Sequence, residues 1–257
     1  MAEDFDMATQ LDGIDVGNGD DVPYSVDVAM LIDATGSMSS IIDETKANAK
    51  DFFQKFQNAM EDEGKHIEKL RVKVISFRDY AYDNENDAMD ESQFFVLPDE
   101  QDAFNDFVQK IEAKGGGDEP ENALEAIALA MRSEWDNESA GKHRHVILLF
   151  TDASAVDLAD DSMPIKAKRK RKDNPTYPTG IPANWEEFSN WWMADDQLSE
   201  GMPSQRSKRM ILFAPDAPAW NKIASDFDLI WHVISKAGNG CEEFDINEAI
   251  SVLVGSI

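Results

Sequence analysis

The sequence predicts an α/β fold, a three-layer sandwich in which helices cover both faces of a mainly parallel sheet of about six strands. Two apolar runs, at residues 26–33 (VDVAMLID) and 145–150 (HVILLF), are typical of strands that are buried on both faces. Segments with the spacing of amphipathic helices lie between such runs. This alternation implies parallel pairing through right-handed crossovers, so we expect a Rossmann-like, doubly wound sheet.

The first unit of the pattern is a strand, a tight turn and a helix. Residues 26–33 form the strand, and apolar residues recur at helical spacing over 42–60. Ser39 and Ser40 are suited to cap this helix, and Gly64 is suited to end it. The later elements continue the alternation, with predicted strands at 70–77, 94–97, 145–150, 210–214 and 229–235 and predicted helices at 104–114, 120–131 and 244–254.

Composition indicates the boundaries of the domain, the classes of partner that its charge disfavours and the compartment of the protein. The chain has 51 acidic and 24 basic side chains and a formal charge of −27, which opposes binding to nucleic acid and to anionic membranes. Residues 1–24 are acidic and have no apolar period, so we interpret them as a tail that is disordered or folds only on a partner, and residues 25–257 as one domain. The sequence has no long apolar run and Cys241 is its only cysteine, and we expect no signal peptide, so we predict a cytoplasmic protein.

Residues 156–206 interrupt the alternation and are predicted to form an insertion. The insertion contains a basic run, KAKRKRK at 166–172. Such a run indicates either a solvated loop that offsets the acidic surface or a contact with nucleic acid, and we favour the solvated loop. The residues that a nucleic acid would contact are Lys168, Arg169, Lys170 and Arg171.

A short helix rich in tryptophan follows within the insertion. Trp185, Phe188, Trp191 and Trp192 recur at helical spacing. Aromatic side chains this dense either pack into the core or form a binding hot spot, because large exposed apolar surfaces are uncommon on monomers. Core packing is the safer interpretation, and the candidates for partner contact are Trp185, Trp191 and Trp192.

Oxygen-bearing side chains alternate directly after the first strand. Asp33, Thr35 and Ser37 lie in the run DATGS at the carboxyl end of the strand predicted to be central, where ligands bind in open parallel sheets. One carboxylate and two hydroxyls on a tight turn can face one point, and Mg²⁺ prefers such oxygen ligands. The alternative is that Thr35 and Ser37 only cap the helix while Asp33 lies at its positive end.

Two further acids are predicted to lie near Asp33. Asp152 follows the strand at 145–150 and should emerge at the same edge of the sheet, and two acids at one edge need a countercharge. Asp118 follows three glycines whose backbone can approach the same point closely. Either Asp118 is a ligand, or it or Glu119 caps the next helix.

These motifs resemble the metal-ion-dependent adhesion site of von Willebrand factor type A domains, known by its Asp-Xaa-Thr-Gly-Ser motif. The resemblance covers residues 24–155 and includes the Gly-rich loop GGGDEPENAL and the Thr-Asp that closes HVILLFTD. It implies that Asp33, Thr35 and Ser37 bind Mg²⁺ and that Asp152 contacts the ion through water. It also implies that the first strand lies between the second strand and the strand that ends at Asp152.

The resemblance further implies a role as a protein-binding module. Many members have a threonine ligand in the Gly-rich loop, where this chain has Gly117 followed by Asp118, and we take Asp118 as the substitute. We therefore expect an intracellular scaffold or adaptor that holds Mg²⁺, with Mn²⁺ or Ca²⁺ as substitutes, and binds an Asp or Glu of a partner protein. We expect no membrane contact and no small-molecule substrate.

Two other classes of function are weighed against this expectation. The basic run indicates a component of a nucleic-acid complex, and the strand-end acids indicate an Mg²⁺-dependent hydrolase or phosphotransferase. A haloacid dehalogenase-like phosphatase needs a second aspartate where this chain has Thr35, and the glycine motifs of nucleotide-binding loops do not occur. We therefore predict that the protein is not an enzyme.

Overall fold

The computed structural model describes residues 22–83, 86–116, 120–159, 173–193, 202 and 206–257. Three groups of predictions lie outside these residues and stay predictions: almost all of the acidic tail, the basic run with Lys168, Arg169, Lys170 and Arg171, and the ligand candidate Asp118.

The sheet is mixed and mainly parallel. Within the described part of the chain its strands are β1 (Tyr24–Asp33), β2 (Ile67–Phe77), β3 (Met89–Glu91), β4 (Phe95–Leu97), β5 (Lys142–Phe150), β6 (Lys208–Pro215) and β7 (Ile230–Ser235). Their order is β3-β2-β1-β5-β6-β7, and β4 lies beside β2. The strands from β2 to β7 along this order pair in parallel, whereas β3 and β4 pair antiparallel with β2. The predicted doubly wound sheet is confirmed.

Strand β1 is suited to the centre of the sheet because residues 28–32 form an unbroken apolar run. Every residue of β1 after Tyr24 is buried, and the strand pairs with β2 on one side and with β5 on the other. A strand covered at both edges and on both faces has no solvent-facing positions for polar side chains. Its place between β2 and β5 is the one that the resemblance implies.

Helices cover both faces of the sheet and form the two outer layers. They are α1 (Ser39–Asn48), α2 (Phe52–Asp62), α3 (Gln101–Lys110), α4 (Ala123–Met131), α5 (Trp185–Met193), α6 (Pro218–Asp226) and α7 (Ile246–Ser256). Alternate residues of β1 face opposite layers, as the pleat of a strand requires. Val28 and Met30 belong to the core shared with α1, α2, α3 and α7, and Ala29 and Leu31 to the core shared with α4, α5 and α6.

The structure differs from the predicted elements around the Gly-rich loop. Helix α3 ends at Lys110, short of the glycines, and α4 begins only at Ala123. Pro120 does not start α4 because Glu121, the next residue, is held in an extended bridge with Ala155. The segment before α4 is therefore a loop at the carboxyl edge of the sheet.

Two short elements were not predicted. Strand β3 has three residues and no buried side chain, so it carries no apolar period. Helix α6 buries only two apolar side chains along its length, Trp220 and Ile223, which is too few for a clear helical pattern. The prediction that Ser39 and Ser40 cap the first helix is wrong: both lie within the first turn of α1, Met38 is at the capping position, and no side chain caps the helix.

Candidate metal centre

Asp33 is the last residue of β1, and its side chain is fully buried. Its Oδ1 accepts hydrogen bonds from the main-chain N–H of Thr35 at 2.9 Å and from the Thr35 hydroxyl at 2.7 Å. Its Oδ2 accepts a hydrogen bond from the Thr151 hydroxyl at 2.7 Å. Donors from two loops therefore hold the carboxylate in one orientation, and Thr151 is a site residue that the sequence analysis did not identify.

Asp152 lies two residues beyond β5 and is 2% exposed. Its Oδ1 accepts a hydrogen bond from the Ser37 hydroxyl at 3.1 Å, and its Oδ2 accepts one from the main-chain N–H of Gly240 at 2.7 Å. The main-chain N–H of Gly238 donates to the Asp152 carbonyl at 2.9 Å. The loop between β7 and α7 is thus bound to Asp152 by its backbone, which the sequence did not indicate.

Four of the five predicted ligands come together in a continuous chain of oxygen atoms. Because β1 and β5 are parallel neighbours, with Ile32 beside Phe150, their acids emerge at one edge of the sheet. The Thr35 hydroxyl contacts Asp33, the Ser37 hydroxyl contacts Asp152, and the two hydroxyl oxygens are 3.3 Å apart.

This chain of contacts argues against the capping alternative. No side-chain capping hydrogen bond is present at the start of the short 3₁₀ turn Gly36–Met38, where Thr35 is the capping residue, or at the start of α1. Both hydroxyls are instead directed to the carboxylates. Ser37 is exposed while Asp33 and Thr35 are buried, so the oxygen chain reaches solvent on the Ser37 side.

The candidate metal centre contains two acids, Asp33 and Asp152, and no described basic side chain is paired with them. Burial raises the pKa of Asp33 to about 6, and the charge of Asp152 acts in the same direction, against the lowering effect of the hydrogen bonds from Thr151 and Thr35. Among the described residues, no Lys, Arg or His forms an ion pair with either carboxylate. A cation bound between them would remove this penalty.

Arg78 fixes the loop that carries the first ligands. It follows β2, and its buried guanidinium donates from Nε to the Ala34 carbonyl at 2.8 Å and from a terminal nitrogen to the Glu112 carbonyl at 2.5 Å. The other terminal nitrogen donates to the Asp87 carbonyl. Three loops at the carboxyl edge are therefore joined through one side chain. Its position directly after a predicted strand was a usable signal that the sequence analysis did not follow.

Two glycines allow close backbone approach to the ligands. Gly116 has φ +75°, and a Cβ there would lie 2.9 Å from the Cβ of Thr35. Gly240 has φ +61°, and a Cβ there would lie 2.2 Å from the Ser37 carbonyl oxygen. Both positions need glycine for its conformation and for its lack of a side chain. The Gly-rich loop therefore approaches Thr35 closely, as the sequence predicts.

The donor set fits a hard divalent cation. Among the described residues, no group of three or more His, Cys, Asp or Glu side chains is arranged to hold a metal ion, so a site here depends on hydroxyl and water oxygens as well as the two carboxylates. Mg²⁺ is commonly bound through one or two carboxylates and keeps several waters. Asp33, Thr35, Ser37 and Asp152 offer such a set.

The tryptophan helix, α5, packs into the core that it shares with α4, α6 and the β1 residues Ala29 and Leu31. Trp192 is buried, and its indole N–H donates to the Asp228 carbonyl at 3.2 Å. Trp185 and Trp192 stack on Phe227, with ring centroids 5.4 Å and 6.1 Å away. A partner cannot reach Trp192 in this position, which corrects its assignment as a partner-contact residue. Trp185 and Trp191 are half-buried, and their predicted partner contacts stay predictions.

Comparison with known proteins gives a family and a set of distant structural similarities. Residues 27–174 match the family model described as von Willebrand factor A domain. No curated protein sequence is matched.

Several solved structures are similar over part of their length. The pilus adhesin SpaC from Lactobacillus rhamnosus GG has a TM-score of 0.46 and 15% identity over 91% of this chain and 31% of its own. The vWF domain of the type V pili tip protein Mfa5 from Porphyromonas gingivalis has a TM-score of 0.35 and 20% identity over 53% of this chain and 40% of its own. Proximal thread matrix protein 1 from the mussel byssus has a TM-score of 0.38 and 13% identity over 91% of this chain and 46% of its own. This chain thus spans less than half of each.

Proposed function

Because the chain belongs to the von Willebrand factor A domain family, we propose that it is a protein-binding module that works through one bound Mg²⁺. Asp33, Thr35, Ser37 and Asp152 hold the ion, and an Asp or Glu of a partner protein completes its coordination. Asp118 supplies a further ligand from the Gly-rich loop. Mn²⁺ or Ca²⁺ can replace Mg²⁺ at such an oxygen site.

The observation that carries this proposal is the chain of oxygen atoms between two buried acids. Asp33 and Asp152 are linked through the hydroxyls of Thr35 and Ser37 by contacts of 2.7, 3.3 and 3.1 Å. Burying these carboxylates without a countercharge is costly, and the pKa of Asp33, raised to about 6 by burial first and by the charge of Asp152 to a smaller extent, reflects the cost. A divalent cation is the simplest group that offsets it while using all four side chains.

Each residue has a separate part in binding the partner. Asp33 is oriented by Thr35 and Thr151, so its charge is directed to the hydroxyls. Asp152 is held by Gly240 from the opposite loop. Ser37 lies at the exposed end of the chain of oxygens, where a partner can approach. When bound, the metal ion neutralises these acids and offers an open position to an incoming carboxylate.

The proposed role is binding rather than turnover, as a scaffold or adaptor within a multiprotein complex in the cytoplasm. Among the described residues, no helix is long and apolar enough to cross a membrane.

The insertion between β5 and β6 selects the partner in this proposal, since half-buried Trp185 and Trp191 are placed on its helix.

The test compares wild type, Asp33→Asn and Asp43→Asn, each in Mg²⁺ and in EDTA. Asp33→Asn keeps the shape of the buried site, and Asp43 is an exposed acid on α1 that serves as the matched control. Calorimetry measures Mg²⁺ binding, and affinity capture from cells of the source organism with mass spectrometry identifies retained proteins. We expect Mg²⁺ binding and a shared set of partners only for wild type and Asp43→Asn in Mg²⁺.

Two results contradict the proposal. Partners that are retained equally in EDTA and by Asp33→Asn place the binding surface elsewhere. Turnover of a phosphoester that is lost in Asp33→Asn makes the protein a metal-dependent hydrolase. For each retained partner, replacing its Asp and Glu residues one at a time then identifies the carboxylate that binds.

A further inference from the structure

Basic side chains converge at the carboxyl end of α7, on the edge of the sheet opposite the candidate metal centre. Lys65 donates to the Val254 carbonyl at 2.9 Å, Arg144 to the main-chain oxygen of Ile257 at 3.2 Å and Arg209 to the Ser256 carbonyl at 2.9 Å. These bonds cap the last turn of α7, which explains why cations lie there.

Capping of α7 does not neutralise the positive charge of the side chains at this edge. The end of a helix is equivalent to roughly half a negative charge, and even together with a full negative charge from a carboxylate at Ile257 it is exceeded by the three cations. Among the described residues, neither Arg144 nor Arg209 forms an ion pair with an Asp or Glu side chain, and all of their hydrogen bonds go to main-chain oxygens. A strongly acidic protein therefore has a local positive surface.

Two aromatic rings lie beside cations at this edge of the sheet. The Tyr24 ring has the Lys142 ammonium 5.1 Å and the Arg144 guanidinium 5.2 Å from its centre, and the Trp231 ring lies 6.0 Å from the Arg209 guanidinium. All five residues are half-buried and lie at the amino-terminal ends of neighbouring strands β1, β5, β6 and β7. We call Tyr24, Lys142, Arg144, Arg209 and Trp231 the basic strip.

We propose that the acidic segment 1–21 of the same chain docks on the basic strip. The segment has seven Asp or Glu residues and no Lys or Arg. It joins the described chain at Val22, next to Pro23, whose carbonyl accepts a hydrogen bond from the main-chain N–H of Lys142 at 2.8 Å. The occupant thus emerges beside the strip, and its charge is opposite.

Length also favours this occupant. Four neighbouring strands about 4.8 Å apart make the strip roughly 14 Å wide, which about five extended residues cross. The segment has 21 residues, so its acids can reach every cation of the strip. Tethering gives the segment an effective concentration of about millimolar, which an untethered anionic partner must exceed. Apart from the basic run at 166–172, the remaining protein is acidic and repels the segment.

The experiment places a spin label in the segment of the full-length chain. The variant Ala8→Cys carries a nitroxide, and Cys241, the single native cysteine, is fully buried and stays unlabelled. Paramagnetic broadening of amide signals is measured by NMR in low salt. The matched control has the same label and length, but its seven acids are replaced by Asn or Gln, so the folded domain is unchanged.

We expect strong broadening at the basic strip with the native segment. Each exposed ion pair shifts an equilibrium by about two- to fivefold, so losing three pairs in the neutral control lowers the docked-to-undocked ratio by roughly tenfold or more. About 0.5 M NaCl, which shortens the screening length to about 4 Å, should have a similar effect. The double variant Arg144→Gln with Arg209→Gln should also lose the broadening where thermal unfolding shows that it folds.

Equal broadening in the native and neutral segments overturns the proposal, because docking would then not depend on charge. Broadening centred on other residues, such as the loops around Asp152, also overturns it and identifies a different surface for the segment. Because the neutral segment leaves every strip residue in place, this comparison stands even if the arginine variants do not fold.

Discussion

Replacing Asp33 by asparagine should stabilise the metal-free protein, although the substitution is made in a buried site full of hydrogen bonds. The asparagine Oδ1 can accept both bonds from Thr35, and its amide can donate to the Thr151 hydroxyl, whose oxygen already accepts from the Ala153 N–H at 3.2 Å. The substitution therefore keeps both bonds from Thr35, reverses the direction of the bond with Thr151 and removes the charge.

The expected gain follows from the pKa of Asp33. Its value rises from 3.8 to about 6 on folding because of burial. Folded protein therefore binds more protons than unfolded protein between these values, and the stability contributed by Asp33 falls as pH rises from about 4 to about 6. Above that range the penalty is complete and amounts to about 3 kcal/mol, since one pKa unit corresponds to about 1.4 kcal/mol.

Urea unfolding in EDTA at pH 8 and pH 4.5 measures this effect. We expect Asp33→Asn to be more stable than wild type by up to about 3 kcal/mol at pH 8, with a much smaller difference at pH 4.5. Added Mg²⁺ should stabilise wild type and leave the variant unchanged. Our account of the site is wrong if the variant is no more stable at pH 8 or if the difference does not depend on pH.

Asp136 provides a control of opposite sign. Burial acts to raise its pKa, but hydrogen bonds from Lys69, Ser139 and the main chain outweigh that effect and lower the pKa below its usual range. This carboxylate contributes stability above the unfolded pKa, and that stability is lost as pH falls through the folded value. Asp136→Asn should therefore destabilise the protein at neutral pH, in contrast to Asp33→Asn.

Three further substitutions test the site and the packing of the insertion. Ser37→Ala should weaken Mg²⁺ binding in calorimetry by roughly ten- to hundredfold with little change in urea unfolding, because Ser37 is exposed; unchanged Mg²⁺ affinity would count against its role as a ligand. Gly240→Ala should cost about 1–3 kcal/mol in urea unfolding because of its positive φ and the close Ser37 oxygen, and a neutral effect would argue against the close approach of the two loops. Trp192→Ala should cost about 3–5 kcal/mol by the same measurement, whereas a loss under 1 kcal/mol would return Trp192 to the candidates for partner contact.

The sequence predicted the parts of the site that depend on strand ends. Asp33 and Asp152 each lie at the carboxyl end of a strongly apolar run, which is typical of strands in a parallel sheet, and the carboxyl ends of parallel strands lie at one edge. The neighbouring position of the two strands was implied by the family resemblance. The hydroxyls of Thr35 and Ser37 are within four residues of Asp33, so their convergence is a local property of the turn. Spacing therefore indicated these four residues but left open that Thr35 and Ser37 only cap the helix, and their metal-binding roles were implied by the resemblance.

The residues that hold the site residues in place could not be predicted from the sequence in the same way. Gly240 contacts Asp152 across 88 residues, and Arg78 contacts the Ala34 carbonyl across 44 residues. Such contacts depend on how separate loops pack against each other, and the spacing of residues within one segment does not indicate that packing. The tryptophan helix illustrates the same limit, because its burial depends on Phe227, which directly follows α6, an element with too weak a pattern to predict.

The identity of residue 33 carries more information about function than its hydrogen bonds do. An amide at this position can accept both hydrogen bonds from Thr35 and donate one to the Thr151 hydroxyl, without the cost of burying a charge next to Asp152. Stability alone therefore favours asparagine, and the chain has aspartate. A buried carboxylate that raises the free energy of the metal-free fold is useful only when something positive binds to it, and the nearby hydroxyls and the second acid are arranged around that same charge. The local cost at Asp33 is thus the strongest physical reason to look for a bound cation here.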